Sequence, residues 1–269
     1  MNQKQFRAFR SWFSSYVESF GNRDAETKAA VRFKEAHTAR VCSNIVRLGG
    51  SLNLKAGDLL LAETIALFHD VGRFKQFAVY RTFSDRRSEN HALLGLRELK
   101  HAGVLSGLEE EEQAIILKAI ACHNLRDLPA NLPDRCLLFA RLIRDADKLD
   151  ILGLFVKECI QQNREPDPLV VSAFPDTPGY SQVLVENLLH QNSCSYADTK
   201  NLNDRKLLHL SWIYDVNFPW TLAEIARNGY IETIIGALPD TQEIQAVRKH
   251  LLAYVARRQE PAGHKTEQS

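Results

Sequence analysis

The sequence predicts an all-α protein. Apolar residues recur at steps of three and four along most of the chain, no run alternates in the manner of a strand, and Gly-Gly and Pro-rich stretches punctuate the periodic segments. With 269 residues and 45% hydrophobic content, the chain is long enough for one large domain or one and a half.

The elements follow in order. Phe6, Phe9, Phe13, Tyr16 and Phe20 fall on one helical stripe, with Lys4, Arg7 and Arg10 between them. This predicts an amphipathic N-terminal helix over 1–24 that packs its aromatic stripe on the core. The basic flanks also suit a surface-binding or targeting helix, and the lack of an apolar h-region argues against secretion. Phe33, His37, Val41, Ile45 and Leu48 define a helix over about 25–48, ended by Gly49-Gly50. A further helix runs from about 57 to Asp70, with Gly72 placed to terminate it. The arginine-rich connection RTFSDRRSEN follows, then a helix over about 89–101 with Ser88 as N-cap.

Four glutamates open a helix over about 109–123, which suits the positive end of a helix dipole. Pro129 and Pro133 bracket a loop, and Asp134 caps a helix over about 135–160. Residues 163–181 hold four prolines and read as a long loop or elbow. Helices are expected at about 181–191, 203–216, 221–238 and 241–258, before a polar tail expected to be disordered. The organisation is thus an N-terminal helix (1–24), a metal-binding helical domain (25–160), a helical extension packed on it (161–260) and a tail (261–269).

Composition excludes several classes. Lys plus Arg (34) nearly balances Asp plus Glu (33), so no global field recruits a nucleic-acid polymer or an anionic membrane. No stretch approaches the length of apolar chain a membrane span needs. Five cysteines without a CxxC pair read as reduced thiols in a cytoplasmic protein.

Six residues that bind metals well lie in the first 150: His37, His69, Asp70, His91, His123 and Asp147. His37, His69 and His123 share stripes with apolar residues and should point inward, where an unpartnered imidazole is costly. A His-Asp doublet at a helix end can serve two ions if the imidazole takes one and the carboxylate bridges both, and the helix's free carbonyls favour a cation there. The run IRDADKLDILG offers Asp145, Asp147 and Asp150, and periodicity does not choose among them because both faces of that helix are apolar.

The order His37, His69-Asp70, then Asp147 within ADKLD resembles the HD superfamily of metal-dependent phosphohydrolases, over roughly residues 25–155. The resemblance implies an HD-domain helical bundle and selects Asp147, the aspartate of the family's late AD-(K/R)-L-(D/H) segment. It implies that His91 in NHALLG and His123 in ACHN are the extra ligands of the binuclear branch, and HDVGR is similar to that branch's HD-[IV]-G-K, with Arg73 where lysine is usual. That branch includes cyclic-dinucleotide phosphodiesterases, but no GYP segment is present and Asn124 stands where a second histidine would, so no cyclic dinucleotide is inferred.

On this reading His37, His69, Asp70 and Asp147 hold a first divalent ion, and His91 and His123 hold a second while sharing Asp70. The ions are Mn, Fe, Co, Mg or Ni rather than a closed structural zinc. Four neutral imidazoles and two carboxylates around two such ions leave about two positive charges, which suits a small anionic phosphate-containing substrate. The expected reaction is hydrolysis of a phosphate mono- or diester, a nucleotide included, by a metal-bound hydroxide. Asp70, Arg73 and Lys148 are the catalytic candidates, and Arg73, Arg86, Arg87 and Lys148 the substrate-binding ones. The alternatives are an HD-type diiron oxygenase and a non-catalytic HD sensor or binding module. His101, His190, His209, His250 and His264 lack the accompanying carboxylates and read as surface or core residues. The aromatic segment 210–230 reads as core packing at a corner turned by Pro219, with a pocket wall or a homodimer contact as the other readings.

Overall fold

Helices make up every regular element among the residues that the computed structural model describes, 1–21, 24–160 and 174–259. The chain divides into two units, Met1–Asp150 and Ile151–Ser269. The tail and most of the proline-rich elbow lie outside the described residues.

The first unit begins with α1 (Gln3–Glu18), started by an Asn2/Gln5 capping box. Phe6, Phe9, Phe13 and Val17 are buried on it, and Phe20 just beyond. Phe9 meets Phe68 edge-on at 5.6 Å and Phe13 meets Phe74 at 5.8 Å, so the aromatic stripe packs inside this unit. Helix α2 (Ala25–Ser51) starts at the Asp24 N-cap and runs through Gly49-Gly50 instead of ending there. The turn that stops it comes at Asn53, whose φ is +54°. Gly49 is small for a different reason: a Cβ would come within 2.7 Å of Leu59 on the next helix.

Helix α3 (Ala56–Phe68) ends before the doublet, and α4 (Val71–Tyr80) begins directly after it. The expectation that Gly72 terminates a helix is therefore corrected, because Gly72 lies inside α4. A Cβ there would stand 2.1 Å from the His91 carbonyl oxygen and 2.6 Å from the Gly95 nitrogen, so its role is to let α4 and α5 (His91–His101) touch backbone to backbone. Ser88 does not cap α5. Asn90 does, its side chain accepting from the Leu93 N–H at 3.1 Å, while Ser88 Oγ donates to the Ser84 carbonyl in the turn before it.

Helices α6 (Glu110–Cys122) and α7 (Asp134–Ile160) complete the frame. Helix α2 packs on α3 and α4, α4 on α5, and α3 and α5 both on α6. Ile45, Leu48, Leu61, Ile65, Phe68, Phe74, Leu94 and Ile116 fill the space between them with 2% exposure or less. Buried Arg144 on α7 gathers the carbonyls of Cys122, His123, Leu125 and Arg126, satisfying the orphaned end of α6.

The second unit holds α8 (Gln182–Leu189), α9 (Leu202–Ser211), α10 (Pro219–Arg227), α11 (Tyr230–Gly236) and α12 (Gln242–Gln259), with α12 packed on α8, α10 and α11. The helix expected over 203–216 is α-helical to Ser211 and then tightens into a 3-10 turn, Trp212–Asp215. The one expected over 221–238 is broken in two at Gly229, which adopts φ +63°. Pro219 opens α10 at the position where its missing N–H costs nothing.

Candidate metal centre

The centre is built where three helix ends meet inside the first unit. His69 is the C-cap of α3, His123 the C-cap of α6, and His91 the first residue of α5. Asp70 occupies the N-cap position of α4 but makes no side-chain cap bond, which leaves both its oxygens for other partners. His37 comes from the middle of α2 and Asp147 from α7. His37, His69, Asp70, His91 and His123 are all 5% exposed or less.

The four imidazoles are oriented alike. His37 Nδ1 donates to Asp150 at 2.6 Å and His91 Nδ1 to Asp85 at 2.7 Å. His69 Nδ1 donates to the Ala66 carbonyl and His123 Nδ1 to the Ile120 carbonyl, each at 2.7 Å. Carboxylates and carbonyls only accept, so each Nδ1 carries a proton and, in the neutral ring, each Nε2 turns a lone pair inward. His37 Nε2, His69 Nε2 and Asp147 Oδ1 are buried without a hydrogen bond. His91 Nε2 and His123 Nε2 face each other at 2.9 Å, two lone pairs with no proton to share.

The carboxylates close the set. His37 Nε2 lies 3.1 Å from Asp147 Oδ1 and 3.5 Å from Asp70 Oδ2, and His69 Nε2 lies 3.7 Å from each of those oxygens. The other oxygen of Asp70, Oδ1, lies 3.3 Å from His91 Nε2 and 3.9 Å from His123 Nε2. Two groups of potential ligand atoms result, His37/His69/Asp70 and Asp70/His91/His123, and they share Asp70. Orphaned buried lone pairs converging on carboxylate oxygens are what a cation would satisfy, so the residues fit divalent metal binding.

Electrostatics agree. Burial disfavours the charged form of His69, yet Asp70 and Asp147 outweigh it and raise its pKa. The field that attracts a proton there attracts a metal ion equally. Burial, with His91 and His69 beside it, lowers His123 to about 3, and burial with Arg73 lowers His91, so both remain neutral lone-pair donors. Asp70 stays ionised despite its burial because Lys34, His69 and Arg73 surround it, and Asp147 because His37 and His69 lie against it.

The HD-domain family model matches residues 35–152, a span that holds all six of these residues. Residues 35–152 are an HD domain. The HD superfamily consists mostly of metal-dependent hydrolases. No curated protein and no solved structure matches the chain.

The HD domain gathers His37, His69, Asp70, His91, His123 and Asp147. Arg73 stands beside them, Nε 3.5 Å from Asp70 Oδ1, but its Nη1 is engaged by Asp85 at 2.9 Å, by Gln76 at 2.9 Å and by the Phe83 carbonyl. Lys148 is half-buried on α7, and Arg86 and Arg87 are exposed on the 3-10 turn Asp85–Arg87. The three late aspartates separate by their surroundings: Asp147 faces His37 and His69, Asp150 sits behind His37 and is clamped by Arg40 Nε at 2.6 Å, and Asp145 is fully buried.

The roles of three participants escape the sequence reading. Lys34 sets its ammonium 2.7 Å from Asp70 Oδ2 and 5.4 Å from the centre of the Phe83 ring. Its spacing of three residues before His37, which places both on one face of α2, is the signal that could have found it. Asp150 and Asp85 back His37 and His91. Asp85 had no local signal, lying in a charged loop that reads as solvated.

Proposed function

We propose that this HD-domain protein is a phosphohydrolase that uses two divalent ions to hydrolyse a phosphate mono- or diester, nucleotides included. The observation that supports it is the sharing of Asp70. Its two oxygens face different pairs of imidazoles, so His37, His69, Asp70 and Asp147 would hold one ion while His91, His123 and Asp70 hold the other. When bound, such ions supply Lewis acidity to a phosphoryl oxygen and lower the pKa of a coordinated water.

The chain's own residues do the rest. Asp70 and Asp147 keep the centre anionic enough to retain cations. Arg73, fixed by Asp85 and Gln76, presents an oriented positive charge beside Asp70 for an anionic substrate. Lys34, whose ammonium donates to Asp70 Oδ2 at 2.7 Å, would offer a second positive charge to a phosphate if that oxygen served as a metal ligand. Lys148 and the exposed pair Arg86 and Arg87 supply further contacts at longer reach. No helix among the described residues is long and apolar enough to cross a membrane. All five cysteines are free, which suits the reducing cytoplasm as the proposed compartment.

The test is a screen of phosphomonoesters, nucleotides and phosphodiesters with Mn, Mg, Co or Ni added in turn. Metal-dependent phosphate release is expected, and Asp70→Ala should abolish it. Turnover unchanged in that variant would remove this centre from the account. Iron-dependent dioxygen uptake without phosphate release would replace hydrolysis with oxidation.

A further inference from the structure

The two halves of the centre follow one plan. In each, one imidazole is anchored on the carbonyl three residues back in its own helix, His69 on Ala66 and His123 on Ile120. The other is anchored on a carboxylate that an arginine holds: His37 on Asp150 with Arg40, and His91 on Asp85 with Arg73. Such outer carboxylates fix a ligand's tautomer and ring angle and strengthen its donation to a metal.

The plan is executed on different supports. Asp150 lies on the 27-residue helix α7 with its side chain 6% exposed. Asp85 lies on a 3-10 turn between α4 and α5 with its side chain 29% exposed. Its two oxygens are divided, Oδ1 accepting from Arg73 Nη1 and Gln76 Nε2, each at 2.9 Å, and Oδ2 from His91 Nδ1 at 2.7 Å and Asn124 Nδ2 at 3.3 Å. Fully buried Gln76 also reaches Ser88 Oγ and the Glu89 carbonyl, which ties the turn to α4. His91 needs this support more than its counterparts do. It is the first residue of α5, where the helix dipole opposes a cation, whereas His69 and His123 sit at C-terminal ends that favour one.

We propose that Asp85 is the positioning residue that sets the occupancy of the His91/His123 half of the centre. Arg73 and Gln76 deliver its carboxylate to His91 from the turn 85–87. The inference rests on the two-ion reading. Without the carboxylate, the His91 ring is free to take the other tautomer or turn, and it presents an N–H to the centre where a lone pair is required. The ion held by His37, His69, Asp70 and Asp147 keeps its own anchors.

The test is a Mn(II) titration of the full chain, with bound metal counted by elemental analysis and electron paramagnetic resonance recorded at each point. Wild type should bind two ions whose signals are exchange-coupled through Asp70. Asp85→Ala should bind the second about 100-fold more weakly and show the resolved hyperfine pattern of an isolated ion, with an unchanged circular dichroism spectrum. Asp85→Asn, whose amide oxygen can still accept from Nδ1, should weaken the second ion by roughly tenfold. Wild-type affinity for both ions in Asp85→Ala overturns the proposal, and if that variant does not fold, wild-type affinity in Asp85→Asn does so. A wild-type chain that binds a single ion overturns the two-ion reading and this inference together, a result recognisable before any variant is made.

Discussion

His123 in the first unit and His209 in the second are the same residue in nearly the same condition. They are 5% and 3% exposed, each Nδ1 donates at 2.7 Å to a carbonyl of its own helix, Ile120 or Arg205, and burial lowers each pKa to about 3. What surrounds the rings differs. His209 stacks on Phe155 at 4.1 Å, with ring planes 16° apart, and leans on Trp212 at 4.6 Å, and the Arg205 guanidinium adds to burial in lowering its pKa. His123 meets His91 Nε2 at 2.9 Å and has Asp70 Oδ1 at 3.9 Å. Burial and tautomer are thus common to a core histidine and a candidate ligand. The carboxylate oxygens converging on Nε2 distinguish them.

Removing those oxygens should erase the distinction. Asp70→Ala is expected to lower divalent metal retention by at least about 100-fold through loss of the residue shared by both groups, read by elemental analysis after dialysis. Retention close to wild type would mean that imidazoles alone define the centre. Added metal provides the next largest effect: Mn(II) at about 1,000 times its Kd should stabilise the chain by about 4 kcal/mol, measured by denaturant titration. The stabilisation should persist in His209→Ala and vanish in Asp70→Ala.

His209→Ala itself should cost roughly 2–4 kcal/mol by leaving a cavity against Phe155 and Trp212, while metal content stays at the wild-type level. A fall in metal content would break the contrast between the two units. The smallest effect concerns pH. His209 in the folded chain titrates near 3, below its ordinary ~6.5, so the unfolded chain takes up the proton first. Its contribution to stability is complete above about pH 6.5 and drains away as pH falls toward 3. In metal-free protein, His209→Phe should flatten the decline in urea midpoint between pH 6.5 and 4, and an unaltered slope would assign the acid sensitivity elsewhere.

Much of this contrast was legible in the chain. Helical spacing placed His37, His69 and His123 on apolar faces, and the missing carboxylates set His209 apart, because both properties are local. Asp147 and Asp150 could not be told apart by periodicity, since α7 is apolar on both faces and only the partners opposite show that one faces two imidazoles and the other backs His37. Helix α4 was hidden by Gly72, which reads as a terminator unless one knows that α5 presses against it. Lys34 meets Asp70 36 residues away, signalled only by its spacing to His37, and Asp85 meets His91 from a charged loop that carries no local signal.

The contact of α4 with α5 also acts as a gauge. Gly72 follows the shared carboxylate by two residues, and the backbone it presses against is that of His91 itself. Two absent side-chain carbons, at Gly72 and Gly95, therefore set how far the shared carboxylate stands from the His91 imidazole across from it. A methyl group at position 72 would have to move the helices apart by on the order of an ångström before ordinary van der Waals contact was restored. The spacing of the two groups of potential ligand atoms would change with all six residues intact. The ruler of this centre is written in residues that carry no chemistry at all.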